Sequence, residues 1–498
     1  MIKINLLKSR LKLSAAPAPM CGDCAMTNLR SVYGVRMDYM NKKLKVSIRT
    51  FGCQMNMYDT EVAEGILQHQ GYQISSTYEG DGSQALLPET LKEADVVLMN
   101  TCSVREHAED RVFSRLGMMG KAKRTRPELI VGLMGCMVEE HKEKLFKRFP
   151  QLDLMVGTRN IKELPALIEE VQKNRRQVAR IKQEGISIEY TDQIQRRGTY
   201  HAWLPIMTGC NKVCTFCIVP ITRGSEVSMP ARDVYREAVR LAGEGVKWMT
   251  LLGQNVNSYN GTQDTGHTTQ DSRFSFPELL DQLCEIKGLE AISFTTSHPH
   301  DATEELYRVI AKNPKISRRF HLPLQSASNR MLKRMKRLHS YEEYRDKIQK
   351  MRAMIPGVAV TTDIIVGFSG ETEEDHAETA RALKEIRYDG AYIYKYSVRK
   401  GTPADKLEDD VPLAVKEARN AELLEIQHAV RDENHRAYAG MTFDVFGEKI
   451  NSRNQAQIIG RSRNEKRVIF DGGFEHIGAF HKVKITGLRN ETFFGTLT

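Results

Sequence analysis

Six cysteines in this 498-residue chain stand where iron chemistry becomes possible. Cys210-Asn-Lys-Val-Cys214-Thr-Phe-Cys217 is a C-x3-C-x2-C loop. Thiolates are soft ligands, and cysteines grouped in this way suit iron–sulfur clusters or zinc. A 4Fe-4S cube takes four ligands, so three thiolates leave one iron open to a small molecule. Structural zinc instead takes four protein ligands, commonly from two C-x2-C pairs. No fourth Cys or His stands near the loop; His201 precedes the first strand of the region. Cys53, Cys102 and Cys136 lie far apart, but each follows a strand-like run: 45–50, 94–99 and 129–134. Cys21 and Cys24 form a lone C-x2-C pair and read as binding nothing, while Cys284 sits in an apolar helical run and reads as core.

The elements around these cysteines follow from periodicity. Helix-patterned segments 59–70, 106–117 and 139–149 separate the first three runs, so strand and helix alternate and a parallel sheet is expected. In such a sheet the carboxyl ends of the strands share one edge, where ligands bind. A single cysteine at a strand end is usually a core thiol. Three at equivalent positions should converge, and they predict a second 4Fe-4S cluster with an open iron.

Farther along, strand-like runs recur at 202–207, 248–252, 291–295, 320–324, 358–366 and 391–396. Helix-patterned segments at 230–243, 276–286, 341–354 and 372–386 separate most of them. This is a partial (β/α)6 barrel, with its chemistry at the carboxyl ends; the C-x3-C-x2-C loop follows the first strand. Short alternating strands at 442–446, 456–459, 467–470, 482–486 and 493–497 make a small all-β barrel similar in build to an OB-fold. The fold class is therefore α/β with three parts. A basic extension, 1–43, is too weakly apolar for a secretory signal and reads as disordered. It precedes a parallel-sheet domain at 44–172, a polar linker at 173–197, the partial barrel at 198–437 and the small barrel at 438–498.

The formal charge is +10, which favours a polyanionic partner such as RNA. Two basic groups suit phosphate contact: Arg330, Lys333, Arg334, Lys336 and Arg337, and the hairpin edge Arg461, Arg463, Lys466 and Arg467. The small barrel has a rival role, as a lid over the larger one. The loop 261–273 has no apolar residue and reads as a lid or an inert insertion at the active-site end. No apolar run approaches the roughly 20 residues that span a bilayer, and the cysteine usage indicates a reducing, cytoplasmic setting.

Cys210, Cys214 and Cys217, with Phe216 before the last, resemble the radical S-adenosylmethionine (SAM) motif. Gly52-Cys53-Gln54-Met55-Asn56, Asn100-Thr-Cys-Ser-Val-Arg105-Glu106 and Gly135-Cys136-Met137 resemble the amino-terminal domain of methylthiotransferases. Thr101 to Glu106 is similar in particular to the tRNA-2-methylthio-N6-dimethylallyladenosine synthases, and the small barrel resembles the RNA-binding TRAM domain. The resemblance runs from about Lys45 to the end. Ala327, where Gly is expected, and Ser369, where Pro is expected, depart from it.

The resemblance implies SAM and two 4Fe-4S clusters, one on Cys210, Cys214 and Cys217, the other on Cys53, Cys102 and Cys136. It places Phe216 against the adenine and gives Gln254, Asn255 and Asp363 as polar contacts to SAM or substrate. The clusters are the catalytic groups, with no separate general base. The implied substrate is N6-isopentenyladenosine in a tRNA anticodon stem-loop, with an external electron donor and sulfur source. Threonylcarbamoyladenosine in tRNA and an aspartate of a ribosomal protein are alternative substrates. A non-catalytic iron–sulfur RNA-binding regulator is the alternative of another class.

Overall fold

The computed structural model describes residues 44–78, 93–103, 106–181, 193–196, 198–262, 273–489 and 491–498. The extension 1–43, Arg105, part of the linker and most of the 261–273 loop lie outside these residues.

Six strands form the first sheet: β1 (Lys45–Phe51), β2 (Gln73–Tyr78), β3 (Val96–Thr101), β4 (Ile130–Gly135), β5 (Leu154–Val156) and β6 (Val178–Arg180). Their order is β2-β1-β3-β4-β5-β6, and every pairing is parallel. β3 and β4 are buried at every residue, as expected of strands covered on both faces. The chain adds β2 on one side of β1 and then β3 to β6 on the other. The switch point therefore falls between β1 and β3, where a crevice opens at the carboxyl edge. Phe51 pairs with Thr101 and Thr101 with Gly135, so β1, β3 and β4 end level. Three strands escape the periodicity reading. β2 is polar, β5 and β6 have three residues each, and β6 lies inside the stretch read as linker.

The second part has β7 (His201–Pro205), β8 (Trp248–Leu252), β9 (Ala291–Thr295), β10 (Arg319–His321), β11 (Ala359–Val366) and β12 (Gly390–Lys395). They form two parallel three-stranded sheets, β9-β8-β7 and β10-β11-β12. A parallel bridge between Ile292 and Ile316 joins the two, with Ser317 N donating to Ile292 O at 2.7 Å. The result is the open barrel of six strands. Its helices start where the sequence signals it: Ser275 with Glu278, Ser340 with Glu343 and Thr372 with Asp375 form capping boxes.

A closed barrel of β13 (Thr442–Asn451), β14 (Asn454–Ser462), β15 (Arg467–Asp471), β16 (Phe480–Arg489) and β17 (Thr492–Leu497) follows helix Leu413–Arg436. Val445, Ile458, Val468, Phe470, Val483, Ile485 and Phe493 fill it. It docks on the beginnings of the larger barrel's strands. Trp248, the first residue of β8, packs against Phe446 and Phe480. Arg319, the first residue of β10, pairs with Glu465 at 3.1 Å, and Asp389, just before β12, pairs with Lys466 at 2.7 Å.

The small barrel thus closes the larger one at the end opposite the cysteine loop. One expectation changes here: the basic hairpin edge is not a free RNA-facing surface. Arg461 pairs with Glu448 and lies over Trp248; Arg463 lies over Phe480 and donates to Pro314 O; Lys466 is buried. Of the four basic residues, only Arg467 is exposed.

His435, on the helix that leads into the small barrel, is buried beside Phe493. Burial, with help from Lys466, pushes its imidazole down to about 4. The folded value lies below the unfolded one, so the stability is present above about pH 6.5 and is lost as the pH falls toward 4. Urea unfolding at pH 6.5 and 5.5 should show about 1 kcal/mol of loss from this group. His435→Gln should remove that part of the slope.

Two three-cysteine centres at the strand carboxyl ends

The C-x3-C-x2-C loop leaves β7 through a short hairpin, in which Met207–Thr208 pairs with Val227–Ser228. Cys210 N donates to Gly224 O at 3.1 Å, and Cys217 N to Cys214 O at 3.1 Å. The loop thus folds back and gathers its three thiols. Burial pushes the Cys217 thiol up to about 12, and Cys214 and Cys210 push the same way. Each sulfur has an N–H donor: Lys212 N to Cys210 Sγ at 3.4 Å, Val219 N to Cys217, and Arg337 Nη1 to Cys214 Sγ at 3.3 Å. His298 Nε2 lies 4.0 Å from Cys214 Sγ. Phe216 packs edge-on to Phe368, in a small apolar group with Met331, Met335 and Ile365.

Gln254 and Asn255 follow β8 directly. Gln254 Oε1 and Asn255 Oδ1 are buried and have no hydrogen-bond partner among the described residues. Asn255 Nδ2 donates to Asp301 Oδ2 at 2.6 Å, and Lys212 Nζ pairs with the same carboxylate at 2.8 Å. Burial opposes the Asp301 charge, but Lys212, His300 and Asn255 outweigh it and hold the carboxyl below its ordinary range. One carboxylate therefore ties the end of β8 to the cysteine loop. Asp363 lies within β11, not beyond it, because the strand continues to Val366. Strand alternation puts it on the face of Ile365, which packs against the same apolar group as Phe216. Its Oδ2 is 3.3 Å from His321 Nε2.

The other three cysteines meet at the switch-point crevice. Cys53 caps helix Gln54–His69, Cys102 follows β3, and Cys136 begins helix Cys136–His141. Asn56 and Asn100 lock the β1 and β3 loops together: Asn56 Nδ2 donates to Asn100 Oδ1 at 3.1 Å, and Asn100 Nδ2 to Asn56 O at 2.8 Å. Gly52 lets Cys102 approach, since a Cβ there would lie 2.9 Å from Cys102 Cβ. Gly135 has a φ of +97°, and a Cβ there would lie 2.4 Å from Asn100 Oδ1, so no larger residue fits. A hydrogen bond from the Cys102 thiol pulls Cys53 down to about 6, against burial and with help from Arg223 and the helix N-terminus. Burial pushes the Cys136 thiol up, and Arg223 opposes it.

Arg223 was not singled out by any sequence pattern, yet it joins the two centres. It stands six residues past Cys217, at the end of helix Val219–Thr222. Its buried guanidinium donates to Asp59 Oδ2 at 2.6 Å and reaches Cys136, while its carbonyl accepts from Arg159 Nη2 at 2.8 Å. A second pair crosses between the parts: Arg399 donates to Glu109 at 2.5 Å, and His141 Nε2 is 3.2 Å from the same carboxyl. Glu140 completes a trio of possible metal ligands there, but Arg399 already supplies a positive charge, so the group reads as an ion-pair cluster.

Residues 45–157 match a model described as uncharacterized protein family UPF0004, and residues 204–383 match the radical SAM superfamily. A tRNA-2-methylthio-N(6)-dimethylallyladenosine synthase of Carboxydothermus hydrogenoformans is 41% identical over 441 residues, which is 88% of this chain and 96% of that one. The synthase of the same name from Pelotomaculum thermopropionicum is 41% identical over 458 residues, 91% of this chain and 98% of that one. Among solved structures, the radical SAM methyltransferase TsrM from Kitasatospora setae, with cobalamin and a 4Fe-4S cluster bound, superposes with a TM-score of 0.51. It is 14% identical, with 73% of this chain and 77% of that chain covered, and shares the fold.

The barrel and the loop beyond its first strand define a radical SAM enzyme, whose cofactors are SAM and 4Fe-4S clusters. The buried, unpartnered side-chain oxygens of Gln254 and Asn255 beside the cysteine loop fit a polar ligand there. At this identity and coverage, the chain belongs to the tRNA-2-methylthio-N(6)-dimethylallyladenosine synthase family.

Proposed function

We propose that this chain converts N6-isopentenyladenosine beside the anticodon of tRNA to its 2-methylthio derivative. The observation that carries the reading is the presence of two three-cysteine sets in one compact unit, joined through Arg223. Cys210, Cys214 and Cys217 hold the cluster that binds SAM, and Cys53, Cys102 and Cys136 hold the one that carries sulfur. Together these groups supply a radical able to take hydrogen from an unactivated C–H bond, a sulfur atom and, from a further SAM, the methyl group. The protein's own side chains bind and orient. Gln254 and Asn255 hold polar groups of SAM, Asp363 with His321 accepts a hydroxyl, and Phe216 flanks the adenine.

The working units are the parallel-sheet domain at 44–172, the barrel at 198–437 and the small RNA-contacting barrel at 438–498. On the last, exposed Lys449, Arg453, Lys484 and Arg489 offer charge, and Phe474, 80% exposed, offers a stacking face. The electron donor and sulfur source come from outside the chain. No helix among the described residues is long and apolar enough to cross a membrane, and the enzyme acts on tRNA in the cytoplasm.

Nucleoside mass spectrometry on tRNA from a strain lacking this chain tests the substrate. The methylthio nucleoside should vanish and isopentenyladenosine accumulate; unchanged tRNA nucleosides would sink the assignment. Gln254→Ala and Asn255→Ala should each weaken SAM binding by about 1–3 kcal/mol, roughly 5- to 150-fold, as lost hydrogen bonds to a buried ligand do. Equilibrium binding to the reconstituted protein measures this, and full affinity in either variant removes that residue from the site.

A further inference from the structure

Behind the C-x3-C-x2-C loop lies a cation that the sequence places with surface charge. Arg330, Lys333, Arg334 and Lys336 are exposed, but Arg337 of the same run is only 8% exposed. Its Nη1 donates to Cys214 Sγ at 3.3 Å and its Nη2 to Pro323 O at 2.7 Å. Among the described residues no carboxylate pairs with it. The imidazoles of His298 and His339, whose rings lie 6.0 Å apart, also feel its charge. Burial, with the Arg337 charge, pushes these imidazoles down to about 2 and 3 and keeps both neutral.

A buried guanidinium without a counter-charge costs several kcal/mol. Arg223 at the other centre has Asp59; Arg337 has only sulfur. A cube held by three thiolates is a net anion, and reduction makes it more so. Hydrogen bonds to cluster sulfurs and nearby charge are among the levers that set the potential of such a group. Cys210 and Cys217 take backbone N–H donors among the described residues, from Lys212 and Val219. Arg337 is the charged side chain that donates to a sulfur of this set, while the His298 ring, 4.0 Å from the same sulfur, is held neutral.

We propose that Arg337 is a positioning residue for electron entry: its N–H bond to the Cys214 sulfur and its buried charge stabilise the reduced cluster and raise its reduction potential. The step is the gain of one electron from an external one-electron reductant, with Arg337 keeping its proton throughout. The inference rests on Cys210, Cys214 and Cys217 being the ligands.

The test is a dithionite titration followed by electron paramagnetic resonance. The full chain carries Cys53→Ala, Cys102→Ala and Cys136→Ala, so that one cluster remains. Arg337→Gln should keep its iron yet titrate at a more negative midpoint than this parent. Arg337→Lys, which keeps the charge but loses the two-pronged contact, should show a smaller shift in the same direction. Lys333→Gln, exposed on the adjacent helix, should match the parent. An unshifted midpoint in Arg337→Gln overturns the proposal. Where that variant fails to hold iron, an unshifted midpoint in Arg337→Lys overturns it. A parent without any cluster overturns the ligand assignment itself.

Discussion

Cys214→Ala will abolish SAM cleavage, whereas Cys136→Ala will leave SAM cleavage intact and stop only methylthiolation. The two sets of thiols hang from different sheets, one from the loop after β7 and the other from the ends of β1, β3 and β4. A cube already short of one protein ligand has no margin: losing a further thiolate leaves two. The reconstituted parent should carry about eight irons per chain, two 4Fe-4S cubes, and each variant about four. Iron and acid-labile sulfide, read beside the yield of 5′-deoxyadenosine, separate the cases. A parent with about four irons, or a Cys136→Ala variant that no longer cleaves SAM, would contradict the division of labour.

The second large effect concerns Arg223. Its partner Asp59 is buried, with side-chain exposures of 6% and 7% for the two. Removing one member of such a pair strands the other in the interior, which typically costs about 3–5 kcal/mol. Arg223→Met should lose about that much in urea unfolding of the cluster-free protein. Burial pushes the Asp59 carboxyl up and Arg223 is the group opposing it. A raised folded value means the penalty is absent below about pH 4, the unfolded value, and grows as the pH rises. The deficit of Arg223→Met should therefore be larger at pH 8 than at pH 5. Adding Asp59→Asn should return most of the loss, since a neutral amide replaces the stranded charge. A single variant as stable as the parent would show that water reaches the pair.

Much of this was legible in the residues, for identifiable reasons. β3 and β4 carry the apolar runs Val96–Met99 and Ile130–Met134 because both faces are covered, and the capping boxes mark their helices in four letters each. The six cysteines stand out by type and spacing alone. What stayed hidden was pairing at long range. A Lys or Arg reads alike whether it is solvated or neutralised by an acid elsewhere in the chain. Lys466 meets Asp389, and Arg337 meets Cys214, only after the fold has formed. Arg223 lay in no pattern, because its partners Asp59 and Cys136 belong to another sheet.

Under the proposed RNA contact, the docking of the small barrel on the strands' beginnings would make the molecule a gauge of length. The cysteine loop stands past the strands' far ends, and the longest strand of the larger barrel, β11 with eight residues, measures roughly 25 Å. Were the small barrel to contact RNA, as proposed, its grip and the chemistry would lie about that far apart. A stiff stem of the right height would then present its loop base to the chemistry. A hairpin too short, or melted, would fall short of it whatever its base sequence.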